Sequence, residues 1–284
     1  MKTLSTIQAL QAALNDVPYG PPLVLVPTMG ALHAGHAALL VRARELAGSK
    51  GLVQASIFVN PTQFGPNEDL SRYPRPFSKN HALCEAHGVD ILFAPPAQEV
   101  YPEDFSTWVN EESVSIGLCG GTRPGHFRGV CTVVLKLLLL TRATRAVFGR
   151  KDFQQCAVIA RMVRDLNLPV ELDFVDTVRE ADGLALSSRN AYLDADQRRE
   201  APGIYRALLA AQTSVSAGNA DAQSVKDALE RDLTSIPGAR LDYACIVDGA
   251  SLKQVKHVQP ATVAAVAVWF GKTRLIDNLV LRNA

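Results

Sequence analysis

Up to about Val175, hydrophobic positions switch repeatedly between short continuous runs and a 3.6-residue spacing. Leu4, Ile7, Ala9, Leu10, Ala13 and Leu14 predict a helix over residues 3–15, which Pro18, Gly20, Pro21 and Pro22 terminate. Leu23 to Val26 is a short apolar run with the signature of a buried strand, followed by the turn Thr28-Met29-Gly30. Leu39, Leu40, Ala43, Leu46 and Ala47 share one face of a helix over 35–47, stopped by Gly48 and Gly51. Leu52 to Val59 reads as a second strand, closed by Asn60-Pro61 and apolar enough to serve as an edge at an interface. The alternation continues as a helix over 80–87, a strand over 90–94, a strand over 145–148, a helix over 152–166 and a strand over 170–175. Val130 to Leu140 is apolar on nearly every side, and its length favours a buried helix over a strand. Such alternation predicts an α/β fold: a Rossmann-like parallel sheet with helices on both faces.

The pattern changes after Leu184. Two longer helices, over 194–217 and 221–236, precede strand-like runs at 241–247, 263–270 and 275–281. This ordering predicts a smaller α+β domain, dividing the chain into 1–184 and 185–284.

Composition narrows the function classes. Hydrophobic residues make up 48% of the 284 positions and charged residues 20%, enough apolar content for packed cores. Lys and Arg number 29 against 28 Asp and Glu, giving a net charge of +1. A protein built to wrap nucleic acid would need a basic face, so no nucleic-acid partner is expected. The run at 130–140, interrupted by Lys136, is about half of the ~20 residues a membrane span requires. Met1 to Asp16 has no signal-like apolar core, and the five cysteines Cys84, Cys119, Cys131, Cys156 and Cys245 are odd in number and widely spaced. Both features suit a cytoplasmic protein with reduced thiols and no structural zinc site.

Candidate chemistry gathers at the ends of predicted strands. Pro27 to His36 links the first apolar strand to a helix, and the N-terminus of that helix favours phosphate. His33 and His36, three residues apart, share a face of the first turn and can donate to phosphate oxygens. Helix capping by one of them is the competing explanation. Asn60 and Gln63 follow the second strand as neutral amide readers, although Asn60-Pro61 is also an ordinary turn. Phe148 to Gln155 again joins strand to helix, with Lys151 as a point charge for phosphate; Asp152 and Gln155 equally resemble a capping box. Ser187-Ser188-Arg189 could grip an anion, or be a solvated loop, and Arg123 to Gly129 is a Gly-rich basic loop of either kind. The loops at 27–36, 60–64 and 149–155 should share one sheet edge. They supply imidazoles, a lysine and amides, a pocket for a polyanion with bridging Mg²⁺. There is no G-x-G-x-x-G for hydride chemistry and no G-x-S-x-G for a hydrolytic triad.

Pro27-to-His36, Phe58-to-Phe64, Tyr73-Pro74-Arg75, Arg123-to-Gly129, Phe148-to-Gln155, Thr177-to-Glu180, Leu186-to-Asn190 and Gly271-to-Asn278 together resemble the pantoate–β-alanine ligase (pantothenate synthetase) family of the H-x-G-H nucleotidyltransferase superfamily. The resemblance spans nearly the whole chain. It implies ATP-dependent condensation of pantoate with β-alanine through pantoyl adenylate, releasing AMP and pyrophosphate. By it, Met29, Gly30, Ala31, Leu32, His33, Ala34, Gly35 and His36 would line the ATP site, with His36 as general acid and His33 beside it on the phosphates. Gly149, Lys151 and Asp152 would meet ribose and phosphate and Val178 would take the adenine edge, while Arg150 and Leu186 would also line the ATP site, with no chemistry assigned to the Arg150 side chain. Ser187, Ser188 and Arg189 would close on the phosphates as part of a lid domain. Gln63 and Gln155 would hold pantoate, with Asn60, Tyr73 and His126 nearer the β-alanine end. Mg²⁺ would be held mainly by the ATP phosphates, with no protein metal site, and the enzyme would be a homodimer. The chain departs from many relatives at Ala34, where they carry Glu, at Arg150, where an acidic residue is usual, and at Leu137 to Leu140. A nucleotidyltransferase with a phosphorylated acceptor would share the ATP site but lacks a reason for both Gln63 and Gln155. A non-catalytic nucleotide-binding module would not need His33, His36 and Lys151 together.

Overall fold

The computed structural model describes residues 1–66 and 68–282. In chain order the elements are β1 (Lys2–Leu4), α1 (Ile7–Asn15), β2 (Leu23–Thr28), α2 (Ala34–Ala47), β3 (Leu52–Ile57), α3 (Phe77–Ala86), β4 (Ile91–Phe93) and the short α4 (Ala97–Val100) and α5 (Leu118–Thr122). They continue as α6 (His126–Leu140), β5 (Arg145–Gly149), α7 (Phe153–Asp165), β6 (Glu171–Val175), α8 (Ala195–Glu200), α9 (Gly203–Ser216), α10 (Ala222–Thr234), β7 (Ala239–Asp248), β8 (Thr262–Phe270) and β9 (Thr273–Val280). Two compact units emerge. The first comprises Met1–Ser115, Arg123–Arg150 and Val158–Asp176; the second comprises Ile116–Thr122, Lys151–Ala157 and the chain from Thr177 onward. The sequence pattern alone suggests a boundary at 184/185.

The first unit is built on a six-stranded sheet in the order β1-β4-β3-β2-β5-β6, every pairing parallel. Successive residues of a strand face opposite sides, and this alternation sorts the core into two layers. Val24, Val26, Val53, Ala55, Leu92 and Val147 pack with Leu39, Leu40, Ala43 and Ala47 of α2 on one face. On the other face, the Gln54 amide donates to the Thr141 carbonyl at the end of α6, 2.8 Å away. Helices therefore cover both faces. Each fully buried aliphatic side chain contributes about 1.5–3 kcal/mol relative to exposure. β3 lies between β4 and β2, so it is an interior strand and not the edge its composition allowed; its residues Val53 to Ala55 are buried on both faces, and even its polar Gln54 and Ser56 are 1% and 0% exposed.

The second unit carries the antiparallel sheet β7-β8-β9, with Leu229 and Leu233 of α10 and Ile204 and Leu208 of α9 in its core. Two local expectations change. The single helix expected over 194–217 is two helices, because Pro202, which lacks a backbone N–H, follows Ala201 at the junction. The helix expected from Thr3 begins at Ile7, capped by Thr6, because Lys2–Leu4 pairs instead with Ile91–Phe93 as β1.

Candidate active site

In the first unit the chain moves outward in opposite directions from β2 and β5: α2 leads to β3 on one side and α7 leads to β6 on the other. Adjacent strands whose connections diverge in this way leave a crevice at their carboxyl ends, where open parallel sheets bind ligands. The loops after β2, β3 and β5 all lie at that edge because the sheet is parallel throughout.

The turn after β2 is held from two sides. The Thr28 hydroxyl donates to the Ser56 carbonyl (2.6 Å) and accepts from the Gly30 N–H (3.2 Å). The Asn80 side chain, 1% exposed on α3, accepts from the Leu32 N–H at 2.9 Å. Gly30 has φ +88°, and a Cβ there would lie 3.1 Å from Asn80 Nδ2, so both conformation and space require glycine. Ala31 follows at φ +52°, a left-handed conformation costing a Cβ-bearing residue about 1–3 kcal/mol.

His33 caps α2. Its Nδ1 accepts from the Gly35 N–H (3.1 Å), and Nδ1 of His36 accepts from the His33 N–H (3.3 Å); the rings sit 4.2 Å apart. Capping and ligand chemistry are thus compatible. Because each Nδ1 acts as an acceptor, each neutral imidazole carries its proton on Nε2, on the side of the ring away from the helix backbone. No acidic residue occupies the first turn of α2, so the positive end of the helix dipole is not offset there. An acidic residue at Ala34 would offset it.

After β3, Gln63 sits in a 3₁₀ turn, Pro61–Gln63, and is 8% exposed. Its side-chain oxygen accepts from Asn60 Nδ2 (3.1 Å), and its Nε2 approaches Met29 Sδ at 3.0 Å. Asn60, 1% exposed, also donates to the Gly129 carbonyl (3.1 Å) and accepts from the Thr62 hydroxyl (2.9 Å). Its bonds run to the protein, so it orients Gln63. His126 behaves similarly: Nδ1 donates to the Gln63 carbonyl (2.8 Å), and Nε2 accepts from Arg123 Nη1 (3.0 Å). Arg123 in turn grips both Glu68 oxygens at 2.7 and 2.6 Å. Burial opposes ionisation of Glu68, but the Arg123 guanidinium outweighs it and holds that carboxyl below its ordinary range. Tyr73 is buried edge-on against Phe64, their ring centres 5.8 Å apart.

In the second unit, Lys151 Nζ lies 3.5 Å from the Asp152 carboxylate, and the Lys151 carbonyl accepts from Asn278 Nδ2 at 3.0 Å. Gln155 is half-buried in the first turn of α7. Its neighbour Gln154 is committed to backbone, accepting from the Cys119 N–H and donating to the Gly117 carbonyl. Val178 and Leu186 are joined by a backbone hydrogen bond (3.0 Å), which brings Ser187 to the end of a tight hairpin. Ser187 Oγ caps the following 3₁₀ turn, Ser188–Tyr192, by accepting from the Arg189 N–H at 3.2 Å. Among the described residues no group of three or more His, Cys, Asp and Glu side chains is arranged to hold a metal ion. No described helix is long and apolar enough to cross a membrane.

In the first unit the structure brings His33 against His36 and Met29 against Gln63. Asn80, Glu68 and the support given by Arg123 are not apparent from sequence. They act across 48 and 55 residues of chain, and no local pattern marks them.

A parallel sheet with diverging connections and a pair of imidazoles at a helix N-terminus beside its strand ends defines an α/β protein with a crevice compatible with an anionic ligand. Comparison with known proteins makes the class specific. A family model described as pantoate–beta-alanine ligase matches residues 2–280, and the chain belongs to that family. It is 48% identical over 281 residues to the pantothenate synthetase of Moorella thermoacetica, covering 99% of this chain and 98% of that protein. A crystal structure of pantothenate synthetase from Thermus thermophilus superposes with a TM-score of 0.93 at 46% identity, covering 99% of this chain and all of the other. The pantoate–beta-alanine ligase of Francisella tularensis, solved in complex with beta-gamma ATP and beta-alanine, gives 0.82 at 31% identity, covering 99% and 98% of the two chains.

Proposed function

We propose that the chain joins pantoate to β-alanine at the expense of ATP by way of pantoyl adenylate. The observation that carries the reading is the His33–His36 pair at the α2 N-terminus, within a chain of this family. A pantoate carboxylate oxygen attacks the α-phosphorus of ATP; the new P–O bond forms as the bond to the β-phosphate bridge breaks, and pyrophosphate leaves. The β-alanine amine then attacks the acyl carbon, loses a proton, and AMP departs with the bonding pair. The enzyme's task is to align carboxylate and phosphorus and to stabilise charge building on the phosphate oxygens.

The part assigned to each residue follows the resemblance to its family. His33 and His36 donate Nε2–H to phosphate oxygens, and His36 is the general acid. Backbone from Met29 to Gly35 lines the triphosphate. Gly149, Lys151 and Asp152 serve ribose and phosphate, Val178 the adenine edge, and Ser187, Ser188 and Arg189 the phosphates, with Arg150 and Leu186 as further lining of the ATP site. Gln63 and Gln155 read pantoate, while Asn60 and His126 position Gln63 and Tyr73 shapes its surroundings. Mg²⁺ bound to the triphosphate would neutralise part of its charge, with phosphate oxygens and water as its ligands in this reading. We also read the enzyme as a cytoplasmic homodimer, on the resemblance to its family; sedimentation tests the dimer.

The test is product analysis with pantoate, β-alanine, ATP and Mg²⁺. Pantothenate and AMP should appear in equal amounts and only with all three substrates. Release of ADP in place of AMP would refute the adenylate route.

A further inference from the structure

The segment Gly271 to Asn278 takes no part in the chemistry above, yet two of its residues hold two parts of the proposed phosphate site. We propose that Asp277 and Asn278 of β9 form a positioning pair that keeps Lys151 in register with the Ser187–Arg189 turn. The inference rests on the reading of Lys151 and Ser187–Arg189 as phosphate-binding groups.

Successive strand residues face opposite sides, and here each side has its own partner. Asp277, 5% exposed, takes the Arg179 guanidinium on both oxygens, at 2.6 and 2.9 Å. Arg179 also donates to the Gly183 carbonyl (3.1 Å) and lies 3.7 Å over the Tyr205 ring, so its head group is fixed from three directions. It belongs to the hairpin closed by bonds between Glu180 and Leu184 and between Leu186 and Val178, which ends at Ser187. Asn190, beyond the turn, donates to Glu180 and to the Ala185 carbonyl, tying the far side of the turn to the same hairpin. The next residue of β9, Asn278, donates its amide N–H to the Lys151 carbonyl at 3.0 Å, and its own backbone N–H donates to Asp277 at 2.8 Å. Lys151 and Ser187 are distant in sequence, but consecutive residues of one strand anchor the segments that carry them. An acid–base role is not needed for this pair, since neither side chain has to touch substrate. Its function is to limit drift of Lys151, where a displacement of about 1 Å can cost on the order of a hundredfold in rate.

The experiment measures pantoate-dependent pyrophosphate–ATP exchange in Asn278→Ala, Asn278→Asp, Lys151→Ala and the Asn278→Ala/Lys151→Ala double variant, with melting temperatures alongside. Asn278→Ala should lower kcat for exchange about tenfold while leaving KM for pantoate within twofold. Asn278→Asp keeps the shape but replaces the donor with a carboxylate facing a carbonyl, so it should be at least as impaired. In the Lys151→Ala background, removing Asn278 should cost less than a further twofold, because its effect passes through Lys151. Where exchange by Lys151→Ala is too slow for that comparison, Asn278→Asp against Asn278→Ala decides. Wild-type kcat in Asn278→Asp, or effects that multiply in full in the double variant, would overturn the positioning role. Undiminished exchange by Lys151→Ala alone would overturn the assignment of Lys151, and this inference with it.

Discussion

Gly129 offers a test in which geometry sets the expected magnitude. It lies in the first turns of α6, and a Cβ built on it would stand 2.6 Å from the Thr62 carbonyl oxygen and 2.8 Å from the Gln63 nitrogen. Both are backbone atoms of the turn that presents Gln63, so no side chain can rotate away. Ordinary contact would require helix and turn to part by roughly 0.8 Å, which also stretches the Asn60–Gly129 hydrogen bond. Gly129→Ala should therefore destabilise the protein by about 1–3 kcal/mol, the usual cost of overpacking. The displaced Gln63 should lower kcat/KM for pantoate by roughly 10- to 100-fold, with KM for ATP little changed. Urea unfolding gives the first quantity and initial rates at varied pantoate give the second. A Gly129→Ala enzyme with native stability and kcat/KM for pantoate within twofold of wild type would refute the claim that this close approach positions Gln63.

Two further outcomes follow from the supports of the strand-end loops. Asn80→Ala leaves the Leu32 N–H without its partner and should cost about 1–3 kcal/mol of stability while raising KM for ATP severalfold; denaturation and ATP titration check both. Glu68 has a folded-state pKa below its unfolded value, so its stabilising contribution is fully present above the ordinary carboxylate range and is lost as pH falls through the folded value. The melting-temperature advantage of wild type over Glu68→Gln should thus be constant above about pH 5 and shrink steadily below it; an advantage that grows on acidification would contradict the ion-pair account.

Much of the architecture is legible in the sequence because it depends on local periodicity. The run at 130–140 is apolar on nearly every side and is buried over most of its length, although Leu139 is 63% exposed, and the stripe Leu39, Leu40, Ala43, Ala47 faces the sheet. β1 is hidden because three residues, two of them exposed, carry no period of their own and are a strand only through pairing with β4. The break at Pro202 turns on one residue: α8, Ala195–Glu200, is polar after its first residue, and the apolar spacing begins only beyond the proline, at Ile204, Ala207 and Leu208. At the candidate site, residue types point to loops at the strand ends but not to the direction of each side chain. Asn60 and His126 carry the polar groups expected of substrate readers, yet their hydrogen bonds turn inward to Gln63. That choice depends on Gly129 and Arg123 arriving from distant parts of the chain, which spacing in sequence does not encode.

The central claim is that His36 serves an adenylation step on pantoate. Its most direct test is exchange of labelled pyrophosphate into ATP with pantoate and Mg²⁺ but without β-alanine, comparing wild type with His36→Ala. The account predicts exchange that requires pantoate and falls by at least 100-fold in the variant, a loss of about 2.7 kcal/mol of transition-state stabilisation. Exchange that is independent of pantoate, or that His36→Ala leaves intact, would contradict it.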